Sequence, residues 1–355
     1  MSEPSAMNRR RGTRGPLRRD EVNLRDVAQH AGVSPATASR VFSGHGSVNE
    51  ETRARVLASA EELGYVVNSL AQAATGSGHR FLALVTSDLA GSSEASFAAG
   101  AEAVATRNGN PFMVSLTHGK MDREREIIET ACTQRAAGVL LMDSATSGKD
   151  SQERIAAYSS MLRAVGAQLV LCGHPHLPSQ PTVLTVNYDQ IGGVRRAITH
   201  LTDKGHTRIA FLGWANSTTV GQRFLGYLLG LRDAGLNLDS SLIIECPDEV
   251  IEAHLAGLLL LRGYTPPTAI VCLTDTIATG VYRAARDFGI SIPYQLAVTG
   301  FGDSSFAGDL SPALTSIQAP FHDLGVRGAR LALGLADEDP RGDLPTKLIQ
   351  RGSTA

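Results

Sequence analysis

Few stretches of this chain carry side chains spaced to do chemistry, and the most concentrated is SPATASR, Ser34 to Arg40. Ser34 suits a helix N-cap and Pro35 the first helical position, where a missing N–H costs nothing. The helix that follows exposes Pro35, Ala36, Ser39 and Arg40 on one face. Arg40 is the one side chain there able to make a bidentate contact to guanine, and a helix presented this way can enter a DNA major groove. Catalytic patterns are absent by contrast. No nucleophile elbow, P-loop, zinc motif or GxGxxG lies in a suitable context, and SATSGKD around Lys149 lacks the preceding glycine a phosphate loop needs. His174 and His176 in GHPH have no further ligands at metal spacing. Neither a metal nor a cofactor is expected, and the chain does not read as an enzyme.

The frame around Pro35–Arg40 is a tight helical pair. Val27, Ala28 and Ala31 share one face of a first helix, Gly32 turns the chain, and Val33, Ala38 and Val41 complete a small core. These residues alone also fit an ordinary helical hairpin. A third amphipathic helix spans Asn49 to Leu63, with Thr52, Val56, Leu57, Ala60 and Leu63 at helical spacing, and Gly64 ends it. Arg53 and Arg55 read as surface charges. LRDVAQHAGVSPATASRVFSG followed by VNEETRARVLASAEELGYVVNSLA resembles the DNA-binding headpiece of the lactose-repressor (LacI/GalR) family of bacterial transcriptional regulators. The resemblance continues, with departures, almost to the C-terminus.

With 355 residues the chain exceeds one typical domain. Hydrophobic residues make up 43% and charged residues 19%, and no apolar run reaches the roughly 20 residues of a membrane span. The N-terminus lacks the apolar stretch of a secretory signal. Cys132, Cys172, Cys246 and Cys272 form no CxxC pair and sit in apolar stretches, as buried reduced thiols do. A cytoplasmic protein without membrane contact is expected. The net charge of −2 hides an asymmetry: residues 1–76 hold 10 Lys/Arg and 8 Asp/Glu, the remainder 23 and 27. The excess sits in Arg9, Arg10, Arg11, Arg14, Arg18 and Arg19. Residues 1–21 therefore read as a disordered basic arm, either a source of phosphate contacts or a solvated tail.

Beyond His79, short apolar runs alternate with amphipathic stretches. FLALVTS, PFMVSL, GVLLMD and QLVLCG read as buried parallel strands, with helices near Glu94–Arg107, Asp122–Arg135 and Ser151–Val165. The pattern restarts with RIAFLGW, SLIIEC, TAIVCL and LAVTGF, and helices near Gln190–Lys204, Thr219–Ala234, Glu249–Arg262 and Thr276–Phe288. This is α/β, doubly wound, in two lobes. The expected domains are a helix-turn-helix headpiece over 22–76, with a hinge helix near 68–74, and a body over 80–355. By resemblance the body is periplasmic-binding-protein-like. The chain would cross between lobes three times, which would place the helix Pro320–Leu335 in the first lobe. Ligands would bind at the carboxyl ends of the strands, between the lobes.

The resemblance assigns base recognition to Pro35, Ala36 and Arg40. Pro35 and Ala36 would touch a thymine methyl or simply fit the groove. Ser34, Thr37, Ser39 and His45 would hold phosphates, with a local helix contact as the alternative for Thr37. The hinge adds Asn68, Ala71 and Ala74. There the chain departs from Asn-x-x-Ala-Arg-x-Leu: it reads Asn68-Ser69-Leu70-Ala71-Gln72-Ala73-Ala74, and Val67 replaces a proline. Ala74 is too small to wedge base pairs apart, which implies a milder DNA bend.

In the cleft, the resemblance carries Arg223 over as a holder of ligand hydroxyls or carboxylates. Asp275 matches an Asn-Asp pair, with Thr274 in place of the Asn. Asp88 is followed by Ser92 and Ser93 where relatives carry bulkier residues, and Phe301 begins FGD, in which Gly302 removes a carboxylate and Asp303 takes a structural role. Trp214 either lines the cleft or lies on the lobe surface. The implied protein is a sequence-specific, ligand-responsive transcriptional regulator, a repressor binding a palindromic operator as a homodimer. Its effector would be a small polar molecule, a sugar or related metabolite. A regulator whose cleft takes no effector, and more remotely a solute-binding protein, are the alternatives.

Overall fold

The structure is a computed structural model. It describes residues 22–43, 47–65, 80–142, 148–214, 218–335 and 342–354. The chain divides after His79 into two compact units.

The first unit contains helices α1 (Leu24–His30), α2 (Pro35–Ser43) and α3 (Glu50–Glu62). Asn23 caps α1 in a capping box with Asp26, and Asn49 caps α3 through the Thr52 N–H at 2.8 Å. Gly32 turns the chain from α1 towards α2 with φ +66°, a conformation that disfavours a side chain. The core is Val27, Ala28, Ala31, Ala38, Val41, Val56 and Ala60, all buried, with Val33, Phe42 and Tyr65 against it. Small residues let the three short helices approach closely. Two expectations change here. Leu57 is 48% exposed, and Ser59 takes the inward position beside Val56 and Ala60. Arg55 is no idle surface charge: its Nε donates to the Ala31 carbonyl at 3.0 Å, tying α3 to the end of α1.

The second unit starts with β1 (Leu82–Thr86), α4 (Ser92–Arg107), β2 (Phe112–Leu116), α5 (Met121–Thr133), β3 (Gly138–Leu141), α6 (Lys149–Ala164), β4 (Gln168–Cys172) and β5 (Leu184–Val186). It continues with α7 (Gln190–Asp203), β6 (Ile209–Trp214), α8 (Thr218–Asp233), β7 (Ile243–Glu245), α9 (Val250–Leu261), β8 (Ala269–Cys272), α10 (Asp275–Asp287) and β9 (Ala297–Gly302). Last come β10 (Thr315–Gln318), α11 (Phe321–Ala332) and β11 (Lys347–Ile349). One sheet runs β2-β1-β3-β4-β5, all parallel, and the other β11-β10-β9-β8-β6-β7, antiparallel only at β11. Both share the doubly wound order that places a switch point beside the first strand. Strand β5 lies in TVLTV, a run too short to stand out by periodicity.

Strand alternation divides the first lobe into two faces. Leu82, Leu84, Leu140 and Val170 pack with Phe97 and Ala101 of α4, while Ala83, Val85, Val139 and Leu141 pack with Ile128, Ile155 and Leu162 of α5 and α6. Helix α11 packs against α4 and the first sheet, as the crossover expectation required. The two helices meet at glycines. A Cβ on Gly100 would stand 2.1 Å from the His322 carbonyl oxygen, and one on Gly325 2.1 Å from that of Phe97. The chain passes between lobes after β5, after β10 and between α11 and β11. Two of these passages pair: Tyr188 bridges Leu344, and Asp189 and Leu344 exchange backbone hydrogen bonds with the opposite segment.

Candidate functional site

On α2, Pro35, Ala36, Ser39 and Arg40 are exposed on one side, while Ala38 and Val41 are buried on the other. The Ser34 hydroxyl accepts the Thr37 N–H at 3.1 Å and lies 2.8 Å from the Thr37 hydroxyl. Both side chains therefore organise the start of the helix, the local contact weighed for Thr37, and both remain partly accessible. The result is a rigid helix with an accessible guanidinium at Arg40 and a low-profile Pro35-Ala36 end. His45, Asn68, Ala71 and Ala74 lie outside the described residues.

The body holds a cavity of about 810 Å³ at the carboxyl ends of its strands. Asp88 reaches it from the turn after β1, and Ser92 and Ser93 from the first turn of α4. Arg223 comes from α8, Thr274 from the end of β8 and Phe301 from β9. Six of the expected cleft residues thus share one cavity. The side chain of Trp214 lies outside what is described. Asp275 is a correction: it does not line the cavity. Its fully buried carboxylate accepts from the Ser316 hydroxyl at 2.6 Å and the Ser304 N–H at 2.6 Å, locking α10 to β9 and β10. Burial raises its pKa, and those hydrogen bonds pull it back. Asp303, as expected, is structural: it pairs with Arg351 at 2.7 Å and accepts from Gln318 at 3.0 Å.

Arg223 is only 6% exposed, and protein groups hold its guanidinium. Nη1 donates to the Leu273 carbonyl at 2.6 Å, Nη2 to the Tyr188 hydroxyl at 2.8 Å and Nε to Gln190 at 3.3 Å. Its carbon Cζ stands 3.7 Å from the centre of the Phe301 ring, a cation–π contact. Arg223 therefore joins α8 to the crossover segment at Tyr188, and any ligand meets a fixed charge rather than a mobile one.

Three further lining residues stand outside the expected set of ligand-holding residues, although His174 occupies a position where relatives carry part of an Asp-Arg pair. His174, after β4, is 6% exposed, and burial pushes its pKa down to about 4. Phe321 opens α11 and packs edge-on against Tyr188, ring centres 5.5 Å apart. Asp248, after β7, accepts from the Thr274 hydroxyl. The residue is exposed to solvent at the cavity, and the protein surrounding its carboxyl nonetheless holds its pKa above the usual range. Thr274 and Arg223 draw that pKa down, and Asp88 pushes it up. The carboxyl-end rule for ligand sites would have pointed to the loop after β7, but its Cys-Pro-Asp-Glu sequence has no periodicity to draw attention.

Helix α9 carries a further feature. Ile251, Leu255 and Leu259, on successive turns, are 65%, 51% and 70% exposed. VIEAHLAGLLLL is apolar almost all round, the composition of a covered helix rather than a solvent-facing one. A reading of strand–helix alternation does not separate such a surface from the core.

Residues 23–68 match the family "Bacterial regulatory proteins, lacI family", and residues 198–354 match "Periplasmic binding protein-like domain". The catabolite control protein A of Priestia megaterium is 29% identical over 87% of this chain and 91% of its own length. A crystal structure of the lac repressor dimer bound to operator and the anti-inducer ONPF superposes with a TM-score of 0.81 at 26% identity, covering 94% of this chain and 99% of the other. A complex of the transcriptional regulator CelR with cellobiose superposes with a TM-score of 0.68 at 28% identity, over 94% and 99% of the two chains.

Proposed function

Because the chain belongs to the lacI family of bacterial regulatory proteins, we propose that it is a ligand-responsive repressor. It binds a palindromic operator as a homodimer and acts in the cytoplasm. The observation that carries this reading is the exposed Pro35, Ala36, Ser39 and Arg40 face on a helix locked by Val27, Ala28, Ala38 and Val41. Arg40 reads a guanine, Pro35 and Ala36 fit the groove beside it, and Ser39 holds phosphate. A twofold pair of such faces reads an inverted repeat. The α9 stripe of Ile251, Leu255 and Leu259 supplies apolar surface that a second copy covers. The lac repressor crystallised with operator as a dimer supports that arrangement.

The cleft takes the effector, a small polar molecule. The CelR–cellobiose complex supports a sugar or related metabolite as its class. Asp88 and Ser92 belong to the first lobe, Asp248 and Thr274 to the second, so a ligand touching both favours one arrangement of the lobes. It shifts DNA affinity only through its differential affinity for the two arrangements. The role is regulation rather than catalysis. Among the described residues no helix is long and apolar enough to cross a membrane. The test is selection of genomic fragments by the purified full-length protein. A recurrent inverted repeat among the bound fragments is expected, and recovery without any shared motif would overturn the reading.

A further inference from the structure

The charges around the cleft are unequal. Among the described lining residues, Asp88, Glu94 and Asp248 carry carboxylates, and Arg223 is the one guanidinium. His174 adds no charge at neutral pH, since burial keeps its imidazole neutral. The carboxylates are not equivalent. Glu94 curls back over the first turn of α4, where a Cβ on Gly91 would stand 2.0 Å from its Oε2, so the helix N-terminus offsets its charge. The Arg223 guanidinium is held by Leu273, Tyr188, Gln190 and the Phe301 ring. Asp88 and Asp248 remain. Each uses a carboxylate oxygen on a local bond, to the Ala90 N–H and the Thr274 hydroxyl respectively. They come from opposite lobes onto one cavity, where the Asp88 charge adds to the burial that raises the Asp248 pKa.

We propose that the effector is a small polyhydroxy molecule carrying a protonated amine, with the ammonium group held between Asp88 of the first lobe and Asp248 of the second. The proposal rests on the cleft being the effector site and narrows its ligand class. An ammonium donates in three directions and can pair with both carboxylates at once, while Ser92, Ser93 and the Phe301–Phe321 wall receive the rest of the molecule. A neutral sugar would leave the two carboxylates opposed, and a phosphorylated one would add a like charge. Because the carboxylates belong to different lobes, the bridging cation rewards the arrangement that brings them together. Ligand class and conformational switch are then one interaction.

The experiment uses the full-length protein at pH 7 without DNA. Calorimetry is run on matched sets: glucosamine, glucose and glucose 6-phosphate, then galactosamine, galactose and galactose 6-phosphate. At least one amine should bind about tenfold or more tightly than its neutral counterpart. That preference should fall towards unity in Asp88→Asn and in Asp248→Asn, each checked for native circular dichroism. Equal or tighter binding of the neutral or phosphorylated member overturns the amine proposal while the cleft remains the effector site. An amine preference that survives both substitutions overturns the assigned carboxylates. Silence across both sets overturns the proposal, and removes the support for a sugar-sized effector as well.

Discussion

The headpiece and the body both present chemistry on a fixed frame, but they build it over very different lengths of chain. In the headpiece, seven small buried residues between Val27 and Ala60 hold the α2 face. Each element that supports Arg40 is a near neighbour in sequence. In the body, the cleft draws on Asp88, His174, Arg223, Asp248, Phe301 and Phe321, and the helix opened by Phe321 packs back on α4 through Gly100 and Gly325. The contrast teaches why one site is a motif and the other is not. A short helix is set by its cap, turn and inward stripe, whereas the cleft exists only once two sheets have aligned their strand ends.

Several substitutions separate the two regions. The largest effect belongs to the α9 stripe. Leu255→Glu should convert a dimer to a monomer in sedimentation, and lose about 10²–10⁴-fold in operator affinity with the loss of bivalent contact. A variant that stays dimeric would remove α9 from the interface. Next comes acid. The folded pKa of His174 is depressed to about 4 from an unfolded value near 6.5, so the unfolded chain takes up the proton first. Its contribution is present above about pH 6.5 and is lost as pH falls towards 4, by up to roughly 3 kcal/mol. Denaturation of wild type and His174→Gln across that range should show the variant with the shallower loss, and parallel curves would contradict it.

Smaller effects sharpen the division. Gly325→Ala places a methyl against the Phe97 carbonyl and should cost the body about 1–3 kcal/mol. Specificity for DNA should be kept at temperatures where the body stays folded. Ser34→Ala removes the cap of α2 and should cost the headpiece about 1 kcal/mol. The main calorimetric transition should stay in place, and a shift of that transition would show that the two regions do not melt separately.

The same contrast explains what the amino-acid sequence made legible. Two lobes of alternating strands and helices, and the return of the Phe321 helix to the first lobe, followed from apolar runs and family resemblance. Pro35–Arg40 followed from the cap and the inward positions Ala38 and Val41. Asp275 was placed in the cleft because it matches the Asp of the family's Asn-Asp pair, yet it is fully buried, where Ser304 and Ser316 satisfy it. Asp248 was missed because a loop position has no period to show which way it faces. Arg55 looked like a solvent charge because its partner is a backbone carbonyl, which leaves no pattern among side chains.

The most direct test measures the ratio of affinities for the selected operator and a scrambled duplex, at one fixed salt concentration, for the full-length protein and Arg40→Ala. A lost bidentate guanine contact is worth about 1–3 kcal/mol per base pair. The ratio should therefore fall by about tenfold to a hundredfold per half-site, with affinity for the scrambled duplex nearly unchanged. A ratio equal to that of wild type would contradict the reading of DNA by this face.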